Sequence, residues 1–225
     1  MSQDNHVDEK FLTELKIKEE DVFFSDIKKL PTNSNQSVLA IVTKEFDNPE
    51  AFECDLILVL INNSNEQIVF KSIEKEKFTS DAVELFGLKI DFAQYTITDN
   101  QTAFGIRSSY YGRSKPNPYS AENISLYLIK NNAFQLILDE FETNQDIAET
   151  DMKCVYDGEE TNSILIMQKT KTNGYYDIKV KSTTTIKKVR NPKIKDEDCI
   201  ETIKNLKPKF KTLRFVKGSY QLKKK

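Results

Sequence analysis

The sequence predicts a mainly β protein of antiparallel meanders and hairpins, built as a β-sandwich or an irregular propeller-like array with two or three short helices. Three observations carry this reading. Between Leu88 and Glu142 four strand-like runs follow one another, at Lys89–Thr98, Thr102–Tyr110, Glu122–Lys130 and Phe134–Phe141. Turn signals punctuate the apolar runs: Asn131-Asn132 and Asn173-Gly174 supply residues that tolerate the positive φ a tight hairpin turn requires. In Tyr175–Thr185 the side chains alternate, with Ile178, Val180, Ser182 and Thr184 against Asp177, Lys179, Lys181 and Thr183. That two-residue period belongs to a strand with one face in water.

Taken in order, residues 1–20 form a polar N-terminal segment in which Phe11 and Leu15, four apart, suit at most one short helix. A single β-rich domain then spans 21–225, with a sub-boundary near 144–151. Val22-Phe23-Phe24 with Ile27 and Leu30 fits helix or strand, and Pro31–Asn35 is a loop. Val38–Val42 is apolar throughout, which marks a strand covered on both faces. Cys54–Ile61 and Gln67–Phe70 make a hairpin around Asn62–Glu66. Ser80 or Thr79 can cap a short helix, Ala82–Phe86, that Gly87 ends. Asn144–Asp151 reads as a polar link before the hairpin of Ser163–Gln168 with Tyr175–Thr185. A second helix is expected at Asp196–Leu206, where acidic residues open it, Ile200, Ile203 and Leu206 recur on one side and Pro208 stops it. A last hairpin joins Thr212–Val216 to Ser219–Leu222 through Lys217-Gly218.

With 225 residues, 14 Phe and 9 Tyr, the chain can bury a real core although 30% of it is charged. The net charge of −2 conceals a split: residues 186–225 hold 14 Lys/Arg against 4 Asp/Glu, which leaves twelve negative charges on the remainder. Such a split suits a solvated face attracted to the acidic body, or a tail for anionic partners. Cysteines stand at 54, 154 and 199 without any close spacing, so structural zinc is not expected. Two arrangements fit: a Cys154–Cys199 disulfide beside a buried Cys54 thiol, or three free thiols. No apolar run reaches the roughly 18–20 residues of a membrane-spanning helix. Met1–Asn5 lacks a basic and an apolar leader region, and the abrupt polar start favours an extracytoplasmic address with the leader removed over a cytosolic one.

Chemistry is narrowed more sharply than structure. The one histidine, His6, lies in the polar N-terminal segment, which removes catalysis by Ser-His-Asp or Cys-His and any His-rich metal site. Six isolated glycines supply no phosphate-cradling loop, and no metal or cofactor is expected. Carboxylates remain: a pair of acids can hydrolyse a glycoside, but among 35 Asp and Glu none is singled out. Asp157-Gly158-Glu159-Glu160 lacks the alternating ligand spacing of a calcium loop and is expected to be a solvated turn. Four Asn-x-Ser/Thr matches, at Asn35, Asn62, Asn100 and Asn123, carry little weight in an Asn-rich chain.

The strongest positive signal is the stretch from Arg107 to Tyr119, read as a long loop between two strands. Arg107, Tyr110, Tyr111, Arg113, Lys115 and Tyr119 are residue types enriched where proteins grip partners, and Pro116 and Pro118 lower the cost of ordering them. The plainer alternative is a surface loop whose tyrosines lie back on the sheet. With the basic C-terminus the same residues could contact single-stranded nucleic acid, a reading the acidic molecule disfavours.

Two stretches resemble uncharacterised exported bacterial all-β proteins of periplasmic or lipoprotein type. One is Leu88–Tyr95 followed by Thr102–Arg107. The other is the closing hairpin Leu213–Tyr220, where Phe215, Gly218 and Tyr220 hold an aromatic-x-x-Gly-x-Tyr ending. The resemblance implies an exported, all-β, non-catalytic protein and no assigned activity. Together these readings predict an extracytoplasmic protein that binds another macromolecule, a protein or a glycan, with an immunity or inhibitor protein as the specific version. The alternative is a carboxylate-dependent carbohydrate-active enzyme.

Overall fold

The fold comes from a computed structural model, which describes residues 7–44, 52–191 and 198–222. Thirteen strands in two antiparallel sheets make up nearly all of it. The first sheet holds β1 (Val22–Leu30), β2 (Asn33–Lys44), β3 (Phe52–Asn62) and β4 (Gln67–Ser80) in chain order. The second holds β5 (Val83–Thr98), β6 (Gln101–Gly112), β7 (Tyr119–Lys130), β8 (Ala133–Thr150), β9 (Tyr156–Thr172) and β10 (Tyr175–Arg190). Beyond β10 the edge is shared. β11 (Ile200–Asn205) pairs with its C-terminal part, and β12 (Lys209–Val216), followed by β13 (Ser219–Leu222), pairs with its N-terminal part. The ladder is continuous rather than divided into blades, which sets the propeller-like alternative aside.

The expected hairpin turns are present. Asn131 and Asn132 have φ of 53° and 55°, and Asn173-Gly174 and Lys217-Gly218 likewise place two consecutive residues at positive φ. This is the backbone whose twist matches that of the strands it joins. The short N-terminal helix is also found, as α1 (Glu9–Leu15). Asp8 caps it by accepting a hydrogen bond from the Lys10 amide at 3.0 Å.

Three cores follow from strand alternation. In β2 and β3 one set of residues, Leu39, Ile41, Ile57, Val59 and Ile61, packs against Phe11, Leu12 and Leu15 of α1. The other set, Val38, Ala40, Val42, Leu56, Leu58 and Leu60, faces the second sheet and meets Leu88, Ile90, Phe104, Ile106 and Tyr127. Burial on both faces is why the Val38–Val42 run has no polar alternation. The third core lies within the second sheet, which forks. β8 pairs with β9 only from Asn144 to Thr150, against Tyr156–Asn162. Ala133–Thr143 stays with β7 while Ser163–Thr172 stays with β10, so the two leaves separate and enclose Ile97, Ile124, Leu126, Ile137, Ile178, Val180, Leu213 and Phe215. Asp99, in the β5–β6 turn, accepts from the Lys171 ammonium at 2.7 Å and from the Tyr176 hydroxyl, which pins one leaf to the other.

Three expectations are corrected. Ala82–Phe86 is not helical: Val83 onward is the start of β5, in register with Gly112, Tyr111 and Tyr110 of β6. Ile200–Asn205 is a strand rather than a helix, and the acidic residues 196 and 197 expected to open that helix lie outside the described residues. The polar link at Asn144–Asp151 is strand as far as Thr150. Among the described residues no helix is long and apolar enough to cross a membrane.

A polar cluster sits between the sheets beside the second of these cores. The Lys77 side chain is 7% exposed and its ammonium pairs with Glu74 at 3.1 Å and with Asp139. Glu140 accepts from the Tyr110 hydroxyl at 3.1 Å, and its amide donates to Ser125 Oγ at 3.0 Å. The fully buried Tyr127 hydroxyl lies near the Glu74 carboxylate without a well-formed hydrogen bond. The cluster coincides with the irregular register of β7 and β8 between Ile124 and Tyr127.

Candidate functional site

The residues expected to form one binding loop are divided by the sheet. β6 runs on to Gly112 and β7 starts at Tyr119, so only residues 113–118 connect them. Arg107, Tyr110 and Tyr111 are strand residues. Because strand positions alternate, Arg107 and Tyr111 point to one face and Tyr110 to the other.

Arg107 is committed to internal contacts. Its guanidinium donates to Asp91 at 2.8 Å, to Glu122, to Thr143 Oγ1 at 3.3 Å and to the Tyr95 hydroxyl at 3.3 Å. Burial pushes Asp91 up, but the Ala93 amide, the Tyr95 hydroxyl and Arg107 outweigh it and hold the carboxyl below its ordinary range. Burial and the neighbouring Asp91 push the Tyr95 phenol up to about 12. Tyr110 is half-buried against Glu140, with its phenol raised by burial and by that carboxylate. Tyr111 is 51% exposed, with its ring edge-on to the exposed Phe86 at 6.3 Å. Arg113 pairs with Glu84, and Lys115 is exposed on the connection. The aromatic–basic footprint proposed for nucleic acid is therefore not assembled on one face.

Of the six, Tyr119 lines a concave site. A groove of about 620 Å³ lies where β7, β8, β9 and β10 are all mutually paired, beyond the fork. Its floor is one transverse row. Val83 pairs with Gly112, Gly112 with Tyr119, Tyr119 with Ile147, Ile147 with Glu159, Glu159 with Ile186 and Ile186 with Lys204. Directly paired residues share a face, so these seven positions on β5 to β11 look the same way. Gly112 keeps the row low, since a Cβ there would meet that of Tyr119 at 3.1 Å. A second row, Glu149–Asp157–Lys188–Thr202, forms one bank. Asn117 and Pro118 form the end wall, held because the Ala148 amide donates to the Pro118 carbonyl at 3.0 Å and the Thr150 amide to that of Pro116 at 2.8 Å.

The groove's charges are unevenly satisfied. Asp157 accepts both Arg190 Nη2 contacts at 2.7 Å and lies 3.4 Å from Lys188, and these cations hold its carboxyl below the usual range. Glu149 and Glu159 make no ion pair or side-chain hydrogen bond among the described residues. The Asp157–Glu160 stretch, expected as a solvated turn, is part of β9, and its residues Asp157, Gly158 and Glu159 line the groove. On the opposite face Asp146 pairs across strands with Glu160, and burial together with that neighbour raises the Asp146 carboxyl. Among the described residues no group of three or more His, Cys, Asp or Glu is placed to hold a metal ion.

At the far end of the groove the chain is covalently tied. Cys154, in the β8–β9 turn, is linked to Cys199, just before β11, with Cα atoms 5.6 Å apart, while Cys54 is a buried free thiol. Burial pushes that thiol up to about 11.

No protein-family model, curated protein or solved structure matches the chain. The groove is hidden from the sequence because its floor comes from seven separate strands. The local signals are Pro118 and Tyr119, at the end of the expected binding stretch, and an isoleucine at 147 inside what reads as a polar link.

Proposed function

We propose that the chain is a non-catalytic, extracytoplasmic binding protein that holds another macromolecule in the β7–β10 groove, as an immunity or inhibitor protein would. The observation that carries this is the groove itself: Ile147, Ile186, Tyr119, Val83 and Pro118 present apolar surface in a concavity of about 620 Å³, within the size range of ligand sites. Concave apolar surface with a few polar groups is a common form of recognition site, and 41% exposure of Ile147 is a cost without an occupant. The Cys154–Cys199 link supports an oxidising compartment. The likeness to exported all-β proteins points the same way.

Ile147→Asp tests the site. Because the side chain is already half in water, the variant is expected to fold with an unchanged melting temperature. Its recovery of a partner from an envelope fraction should fall at least tenfold relative to wild type. Equal recovery by both proteins removes the groove as the contact. The carboxylate-enzyme alternative would rest on Asp146 and Glu160, where two acids face each other and one is pushed toward its protonated form. Its signature would be polysaccharide turnover that Asp146→Asn abolishes.

A further inference from the structure

Resting on the groove reading, we infer that the occupant is a cationic polypeptide segment that sets a lysine or arginine against Glu159, between apolar side chains seated on Ile147 and Ile186. Glu159 lies directly between those two isoleucines in the transverse row. A carboxylate flanked by apolar neighbours on both sides loses hydration when anything covers it, and an incoming cation compensates that loss. Of the cations beside the groove, Arg190 and Lys188 lie against Asp157 and Lys187 pairs with Glu201 at 2.5 Å, while Lys204 stands beyond Ile186 in the row and makes no ion pair with Glu159 among the described residues. Glu149, on the bank beside Asp157, adds a second carboxylate with no ion pair among the described residues. Covering the floor with a neutral chain would bury uncompensated charge, and a polyanion would be repelled.

The direction of the row decides how recognition works. Ile147 already has paired neighbours on both sides, Tyr119 and Glu159, and so does Ile186, with Glu159 and Lys204. The floor's backbone is thus hydrogen-bonded within the sheet and cannot accept an added strand. A segment crossing these strands is read through its side chains alone, so charge and apolar spacing set its specificity. The two isoleucines stand two strand spacings apart, roughly 10 Å. This leaves room for one long cationic side chain between two apolar contacts.

Fluorescence anisotropy on the full chain with two labelled pentapeptides, isoleucine-serine-lysine-serine-isoleucine and its counterpart with glutamate in place of lysine, which set the charged side chain between two isoleucines on one face of an extended chain, tests this. The lysine peptide should bind wild type at least tenfold tighter than the glutamate peptide. Glu159→Lys should reverse that order, and Ile147→Asp should abolish binding of both. If Ile147→Asp lowers partner recovery while Glu159→Lys changes neither peptide's affinity, the groove stands and the cationic occupant falls. If neither substitution alters recovery or peptide binding, both readings fall. Competition by a neutral oligosaccharide that ignores the charge at 159 would assign the groove to a glycan and overturn the inference. So would a concentration-dependent dimer in sedimentation that Ile147→Asp dissociates, since the occupant would then be a second copy.

Discussion

Lys77→Met should lower stability by about 2–3 kcal/mol at neutral pH, or roughly 5–10 °C in melting temperature for a chain of this size. Removing one member of a buried ion pair typically costs about 3–5 kcal/mol because the opposite charge stays behind without compensation. The expected loss falls just below that range because the Asp139 side chain is 62% exposed and rehydrates, whereas Glu74 is 26% exposed and does not rehydrate fully. Methionine keeps the apolar stem, so the loss reports the charge rather than a cavity. The pH dependence is distinctive. Burial raises the folded-state pKa of Glu140, and the nearby Lys77 and Tyr110 oppose that rise only in part. A carboxyl raised on folding contributes stability that is fully present below its unfolded pKa and is lost as pH rises through the folded value. Hence Glu140→Gln should stabilise the wild-type chain at pH 7 and leave it unchanged at pH 3. In Lys77→Met the Glu140 shift grows, so the penalty should shrink as the solution is acidified. Urea unfolding of the three proteins at both pH values checks this. A penalty for Lys77→Met that does not vary with pH would mean that the cluster carries no net electrostatic load.

The strands that bury an apolar face were legible residue by residue. β2 and β3 announce themselves by uninterrupted apolar runs, and the three two-residue turns by Asn or Gly at positions that need positive φ. Two of the misreadings share a cause, which is that a strand without a core to face has no period to read. Ile200 and Ile203 are spaced as on a helix, but every residue of β11 is exposed, so its apolar positions record no buried face. Asn144–Thr150 looks like a linker because it lies where the sheet leaves the third core. Two other errors were one error. Val83–Leu85 pairs with Tyr110–Gly112, so a single cross-strand pairing both turns the expected helix into strand and carries β6 into the expected loop. That displaced the candidate site. Tyr119 and the Pro118 wall were caught in the predicted stretch, whereas Ile147, Glu159 and Ile186 meet only through cross-strand register, which no local pattern encodes.

Replacing Cys154 and Cys199 together with serine should cost about 4 kcal/mol, because the link closes a loop of 45 residues whose freedom it removes from the unfolded chain. How the loss is distributed follows from packing. β11 has no buried side chain; it is held by backbone pairing with β10, by the Lys187–Glu201 ion pair and by the Thr185 hydroxyl donating to Asn205 at 2.9 Å. With the disulfide gone, these contacts must bear the ordering entropy alone, and exposed hydrogen bonds and ion pairs contribute little against it. The strand should therefore open before the rest of the sheet. Amide exchange at Thr202 and its neighbours should accelerate well before exchange in β2 and β3, whose residues fill the first core. Opening would uncover the edge of β10 beside Ile186 and loosen that side of the floor, so affinity at the groove should fall alongside the protection of β11. Reduction of the wild-type chain should reproduce the serine variant, since the remaining thiol, Cys54, is buried and its raised pKa keeps it protonated and unreactive at neutral pH. If the oxidised and reduced chains show the same β11 exchange and the same unfolding midpoint, the covalent tie is not what keeps this arm of the sheet in place.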